Sequence, residues 1–343
     1  MHYIDIEQDK IKVARELHYK YMRYVIKKKL NGKNFKEPKP TPEIKTIQIV
    51  NGIHSEVKRF LNAEKNLKKV LIGTPEELDT IKSKFTTKKQ IESIKNLFDY
   101  DMWIDYNPKS TYYFYNAYHL ATNLKIPTCP YCNRIYTKTV IAPLKITRPT
   151  FDHWFTKSKH PLLALSFSNL IPSCNICNSG AKGSAPFELN THFHPYHKSA
   201  DPNLLLSYNF SFEHTDYSTF KFKIINNNAF SENSTKAFKL EEIYKMHEDE
   251  ILDLRKIRDV YSIEYLEMVK KKILLNNISD EEIYRLAFGT HIEEELFDRR
   301  PLSKMKKDIL TELNITPPQH KKHNILNTPL HPTQQTDWNL APA

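Results

Sequence analysis

All four cysteines of the chain fall into two Cys-x-x-Cys pairs, Cys129-Pro-Tyr-Cys132 and Cys174-Asn-Ile-Cys177. Between the pairs lies Phe151-Asp152-His153-Trp154, followed by Asn169; Asn178 directly follows the last cysteine, and Lys182 comes soon after. Four thiolates suit a tetrahedral Zn²⁺ with no open position, so Cys129, Cys132, Cys174 and Cys177 read as ligands of a metal that holds structure and does not catalyse. The 41 residues between Cys132 and Cys174 then form a long loop tied at its base. Irregular segments of this size bury little apolar surface and need such a staple. In a reducing compartment, paired Cys-x-x-Cys favours metal over disulfide.

Asp152, His153 and Asn178 suggest a second metal site with a different task. Hydrolysis of a phosphodiester needs a base to take a proton from water and a cation to neutralise charge on the phosphate and the leaving oxygen. His153 titrates in the right range for the base. Asp152 offers a hard oxygen suited to Mg²⁺ or Mn²⁺, and Asn178 a neutral amide oxygen. On a regular strand Asp152 and His153 point to opposite faces, so a bulge or twist is needed for both to serve one site.

The elements that must position these residues are mostly helical. Apolar residues at Ile11, Ala14, Leu17, Tyr21 and Val25 predict a helix over 8–30, with lysines at 27–29 capping its end. A second helix is expected at 43–62. Thr74-Pro75-Glu76-Glu77 is a helix start, and a further helix is expected at 87–99. The aromatic run 110–124 predicts a helix that serves mainly as core, with base stacking as the alternative. Alternation in Tyr208–Phe212 and Phe220–Ile224 predicts a hairpin. Helix returns over 236–275, begins again at the Ser279/Glu282 capping box with Gly289 as its stop, and ends with 302–313. The tail 315–343 has little periodicity and reads as flexible. The expected organisation is a helical region 1–124, a central module 125–200, a hairpin plus helical region 201–314, and the tail.

The net charge is +11, unevenly placed. Residues 1–200 carry 32 Lys/Arg against 17 Asp/Glu, and residues 201–343 carry 19 against 23. A polyanion such as DNA suits the basic half, which holds the motif; a solvated lysine-rich surface is the plainer reading. No apolar run approaches the roughly 18 residues of a membrane span, and the first ten residues lack the apolar core of a signal peptide. A cytoplasmic protein with no membrane partner is therefore expected.

The segment 129–197, about a fifth of the chain, resembles the HNH nucleases of the ββα-metal fold. The resemblance implies an α+β, mostly helical protein: a central ββα-metal module with a structural zinc knot, flanked by helical N- and C-terminal regions. It implies that the Asp-His dipeptide lies on the first strand of a hairpin, with His153 the general base and Asp152 a metal ligand. Asn169 would orient the histidine loop, and Asn178, on the helix, would complete the catalytic Mg²⁺ site. Lys182, in a small glycine-containing turn, resembles a phosphate contact; Lys157 and Lys159 are further candidates for substrate contacts. His160, His192, His194 and His197 are nearby, with packing or surface roles favoured for each. The wording Asp152-His-Trp-Phe-Thr-Lys157, Leu-Ile-Pro-Ser-Cys174 and His194-Pro-Tyr196 is similar to stand-alone bacterial HNH proteins of anti-phage loci, which often act beside an ATPase. The implied activity is metal-dependent hydrolysis of DNA. The alternatives are a non-catalytic zinc module that binds nucleic acid or protein, and an RNase toxin. Cleavage specificity and oligomeric state stay open.

Overall fold

The long first helix, α1 (Asp9–Asn31), organises the N-terminal third. Ile11, Ala14, His18, Met22, Val25 and Leu30 recur at helical spacing and are all buried, which makes one continuous stripe facing inward. Gly32, at φ 55°, ends the helix. The lysines at its end do more than complement its own dipole. Lys28 stays local, donating to Phe35 O at 2.6 Å in the segment just past the helix end. Lys27 and Lys29 are buried and serve other helices. Lys27 donates to Asn62 O at 2.6 Å, at the end of α2 (Ser55–Asn62). Lys29 donates to Leu97 O at 3.1 Å, at the end of α5 (Lys88–Leu97), and to Tyr112 Oη at 3.0 Å. Carbonyls at helix C-termini have no intrahelical partner, so these ammonium groups satisfy them.

The computed structural model describes residues 1–105, 110–141, 146–197, 208–216, 219–260, 265, 268, 271–272, 278–291 and 293–313. The chain is about half helical with two small antiparallel sheets, an α+β arrangement. Between α2 and α5 come α3 (Glu64–Ile72) and α4 (Pro75–Asp79), the latter with the expected capping box at Thr74. After α5 come α6 (Tyr100–Ile104) and α7 (Ala117–Leu124). Two helices are shorter than the sequence predicts. Residues 43–54 are not helical; the second helix starts only where His54 caps Glu56 N. The aromatic run becomes helical only at Ala117, because Asn116 caps that helix. Its Tyr112 and Tyr115 are buried in the core.

The central segment holds β1 (Thr150–His153) antiparallel to β2 (Leu170–Ser173), in continuous register from Thr150↔Ser173 to His153↔Leu170. The connection between them is dense with buried side chains: Trp154, Phe155, Leu162, Leu163, Leu165 and Phe167. After β2 the chain forms a seven-residue π-helical turn, Ile176–Lys182, where an α-helix was expected. Gly183 N donates to Asn178 O at 3.0 Å, five residues back.

The predicted hairpin is present as β3 (Tyr208–Asp216) and β4 (Thr219–Asn226). The helix expected over 236–275 is broken, as far as Val260, into α8 (Ala229–Ala237), α9 (Leu240–Tyr244) and α10 (Glu248–Val260), with Lys239 in a left-handed conformation between the first two; most of 261–275 lies outside the described residues. Then come α11 (Asp280–Phe288), with the expected Ser279 capping box and Gly289 stop, and α12 (Ser303–Glu312). The tail 315–343 lies outside the described residues. The buried apolar side chains form one cluster from Met1 to Leu313, continuous across the expected border at 124/125. Among the described residues no helix is long and apolar enough to cross a membrane.

His18 joins α1 to the central connection. Its Nε2 donates to Leu165 O at 2.8 Å and its Nδ1 faces Tyr115 Oη at 3.3 Å. The neutral ring suits both contacts, since Nδ1 then accepts from the hydroxyl. Burial pushes its pKa down to about 4. Between pH 6.5 and about 4 the unfolded chain therefore binds a proton that the folded chain refuses. Stability is fully present above pH 6.5 and is lost as pH falls through that window, by roughly 3 kcal/mol from this residue. Urea unfolding of wild type and His18→Gln at pH 7 and pH 4.5 is expected to show a markedly smaller pH-dependent loss in the variant; equal losses refute this account.

Candidate metal centre and hydrolytic site

The four cysteine sulfurs lie within 4.8 Å of one another, and all four residues are buried. Cys132 Sγ and Cys174 Sγ are 3.9 Å apart, too far for a disulfide. Four thiolates around one zinc, each at ~2.3 Å, stand ~3.8 Å apart, so the donor set fits that ion. Local backbone makes the arrangement. Asn133 adopts a left-handed φ of 49° directly after the first pair, and its N–H turns back to Cys129 O at 2.7 Å. Cys177 N–H points at Cys174 Sγ at 3.5 Å. With the thiols this close, Cys174 is pushed down by hydrogen bonds from Cys129, Cys132 and Cys177, while burial pushes Cys129 up. A bound cation favours the thiolate form of all four.

The knot is gripped from the C-terminal side. Tyr244 Oη donates to Cys132 O. Asn133 Nδ2 donates to Phe297 O at 2.7 Å, and Asn133 O accepts from Leu302 N at 2.6 Å. From the N-terminal side, His2 N donates to Pro130 O at 2.9 Å.

Tyr131, inside the first pair, connects the knot to β1. Its hydroxyl donates to Asp152 Oδ2 at 2.6 Å. The other carboxylate oxygen, Oδ1, accepts from Lys182 Nζ at 2.9 Å. Lys182 Nζ also donates to His153 O at 2.7 Å and lies 5.0 Å from the centre of the Phe187 ring. The side chains of Lys182 and Asp152 are 1% and 3% exposed. Lys182 therefore braces β1 from within and does not face solvent as a phosphate contact would. Burial raises the pKa of Asp152 by more than Lys182 and the Tyr131 hydrogen bond lower it.

His153 goes the other way. No bulge interrupts β1, so the ring and the Asp152 carboxylate leave opposite faces of the strand. The half-buried ring takes Ala164 O at 2.9 Å on Nε2 and the edge of Tyr100 at 4.4 Å between ring centres. A nitrogen facing a carbonyl must carry the proton, which leaves Nδ1 as the basic atom. Burial pushes the pKa down to about 4, with the Ala164 carbonyl opposing and Lys157 and Lys182 adding to the shift. The ring is thus neutral near pH 7, the form a base requires.

Asn169 is fully buried and touches no candidate reacting atom. Its Oδ1 accepts from Phe155 N at 2.6 Å; its Nδ2 donates to Phe155 O at 3.1 Å and Leu163 O at 3.0 Å. It pins the connection that carries Ala164, so it is a positioning residue for His153. Asn178 is half-buried on the π-helical turn, and among the described residues its side-chain amide has no hydrogen-bond partner. Lys157 pairs with Asp101 at 2.8 Å over the Tyr100 ring. Lys159 is exposed. The nearby histidines have other partners: His160 contacts Lys82 O at 3.1 Å, His192 stacks on Phe187 at 4.2 Å, His194 lies 4.5 Å from Trp154, and His197 meets Glu76 at 2.6 Å.

Sequence reasoning overlooked two tyrosines. Tyr131 carried a signal, its place inside a Cys-x-x-Cys pair, whose inner residues must lie beside the metal ligands. Tyr100 carried none, since only the packing of α6 brings it to His153. Compared with protein-family models, curated proteins and solved structures, the chain matches none of them.

Purified protein is expected to hold one zinc ion per chain by elemental analysis. Stripping it with a chelator should lower the thermal midpoint by about 10 °C or more, since structural zinc contributes roughly 10 kcal/mol in small sites. Tyr131→Phe should keep the zinc yet lose about 1–3 kcal/mol, because Asp152 stays buried with one partner fewer. An unchanged unfolding midpoint in Tyr131→Phe denies the hydroxyl this role.

Proposed function

We propose that the chain is a metal-dependent endonuclease of the HNH type that hydrolyses phosphodiester bonds in DNA. The observation that carries this reading is His153, fixed through Nε2 on Ala164 O with Nδ1 left as the base. It sits at the end of a two-stranded hairpin whose second strand leads into Cys174 of the four-thiol cluster. The basic balance of residues 1–200 supports a polyanionic substrate.

His153 Nδ1 takes a proton from a water molecule as the water oxygen bonds to phosphorus. The bond from phosphorus to the 3′ oxygen breaks, its electron pair stays on that oxygen, and the oxygen takes a proton from solvent. The products are 5′-phosphate and 3′-hydroxyl ends. Asn169 and Ala164 hold the ring in orientation. The resemblance assigns a divalent cation to Asp152 and Asn178; Asp152 leaves the strand on the face opposite His153 with both oxygens engaged, so these residues do not fit a cation shared with His153, and the step at His153 does not pass through one.

A second reading, a zinc module without hydrolytic activity, is favoured by the engagement of both Asp152 oxygens within the fold. Nicking of supercoiled plasmid in Mg²⁺ or Mn²⁺ separates the two. Wild type is expected to cut, and His153→Ala to lose roughly 10²–10⁴-fold in rate, the usual contribution of a general base. Intact plasmid with zinc-loaded wild type, and no cleavage of RNA in parallel, supports the second reading.

A further inference from the structure

The open side of the His153 ring carries an exposed ion pair mounted on an aromatic ring. Tyr100 Oη donates to Phe151 O at 3.3 Å, which ties its ring to β1, and the ring meets His153 edge-on at 4.4 Å between centres. Lys157 Nζ lies over the same ring, 4.6 Å from its centre. The imidazole and the ammonium group are thus neighbours of one tyrosine. Lys157 Nζ also donates to Asp101 Oδ1 at 2.8 Å, and the two side chains are 40% and 85% exposed. An ion pair this open to water holds weakly, because both charges are well hydrated apart, so Asp101 is an exchangeable partner. The Tyr100 face attracts the ammonium group whichever anion it meets. A phosphate oxygen accepts a lysine N–H as a carboxylate oxygen does, and duplex DNA presents a dense row of phosphates.

We propose that Asp101 holds the place of a DNA phosphate on Lys157. DNA entering beside His153 displaces the carboxylate, and Lys157, steadied by the Tyr100 ring, receives a backbone phosphate next to the base. This rests on the nuclease reading for the identity of the polyanion, and on the geometry of Tyr100, Asp101 and Lys157 for the contact. The general basic balance of residues 1–200 attracts DNA without orienting it; Lys157 gives one phosphate a fixed seat. Asp101 then weakens DNA binding by occupying that seat, and repulsion at a distance is the lesser part of its effect.

Fluorescence anisotropy with a labelled DNA duplex tests this on zinc-loaded, full-length His153→Ala protein, which leaves the DNA intact. At about 0.15 M salt, repulsion between charges more than ~8 Å apart is largely screened. Lys157→Gln is expected to weaken binding about three- to tenfold and to reduce the slope of log affinity against log salt by about 0.9, the loss of one phosphate contact. Asp101→Asn is expected to tighten binding about threefold or more when Lys157 is present, and by less than about 1.5-fold when Lys157 is Gln. Equal gains from Asp101→Asn in both backgrounds overturn the proposal, since Asp101 then acts by repulsion alone; so does a duplex that neither Lys157 background binds. A second measurement needs no variant. Reductive methylation of the protein as purified, read by mass spectrometry, should modify Lys157 in free protein and spare it in saturating duplex; equal modification also overturns the proposal. Neither readout needs catalysis. Plasmid left intact by wild type, with the Asp101 effect dependent on Lys157, sinks the nuclease reading alone; plasmid cut by wild type, with an Asp101 effect independent of Lys157, sinks only the phosphate seat.

Discussion

Four sulfur atoms within 4.8 Å of one another set the geometry on which the centre of this protein depends. They join residues 129–132 to residues 174–177, and everything between is a loop whose ends are fixed. The constraint passes to β1 through a single side chain, Tyr131, whose hydroxyl meets Asp152. It passes to the C-terminal helices through Tyr244 and Asn133, which hold the backbone beside Cys132. The cluster therefore aligns one strand and anchors a second region of the chain at the same time.

The other end of the loop is held by hydrogen bonds. The connection from β1 to β2 is buried, and its polar groups need partners in the absence of water. The N-terminal helical region supplies many of them. Ser166 Oγ donates to Val70 O, and Ser168 Oγ to Gly73 O at 2.7 Å, both at the end of α3. His18 takes Leu165 O from α1. Ala164 O, one residue earlier, receives the His153 ring. The orientation of the candidate base thus depends on helices distant in sequence, which gives the N-terminal region a definite part in the site.

Asp152 and Lys182 show how tightly charge is confined here. A buried ion pair stabilises little relative to an apolar pair, while removal of one partner leaves an uncompensated charge worth about 3–5 kcal/mol. The Tyr131 hydroxyl and the His153 carbonyl complete the hydrogen bonding around the pair. Such a pair resists loss of either partner.

Much of this was determined by sequence alone, because its causes are local. Two Cys-x-x-Cys pairs of equal spacing specify a four-thiol cluster through short-range backbone geometry. Thr74 and Ser279 specify helix starts by capping, and the alternation at Phe210, Phe212, Phe222 and Ile224 specifies a hairpin with one buried face. Tertiary structure decided the partners. Nothing local in Lys27 or Lys29 says that their ammonium groups will cap α2 and α5, and nothing in Lys182 says that it will turn inward to Asp152 and away from solvent. A lysine stem is long enough for either outcome, and the choice depends on which carbonyls and carboxylates the fold leaves unsatisfied within its reach. The same holds for His153. Its residue type makes it a candidate base, but its tautomer follows from a carbonyl eleven residues away, and that carbonyl is placed by Asn169 and by the helices packed behind it.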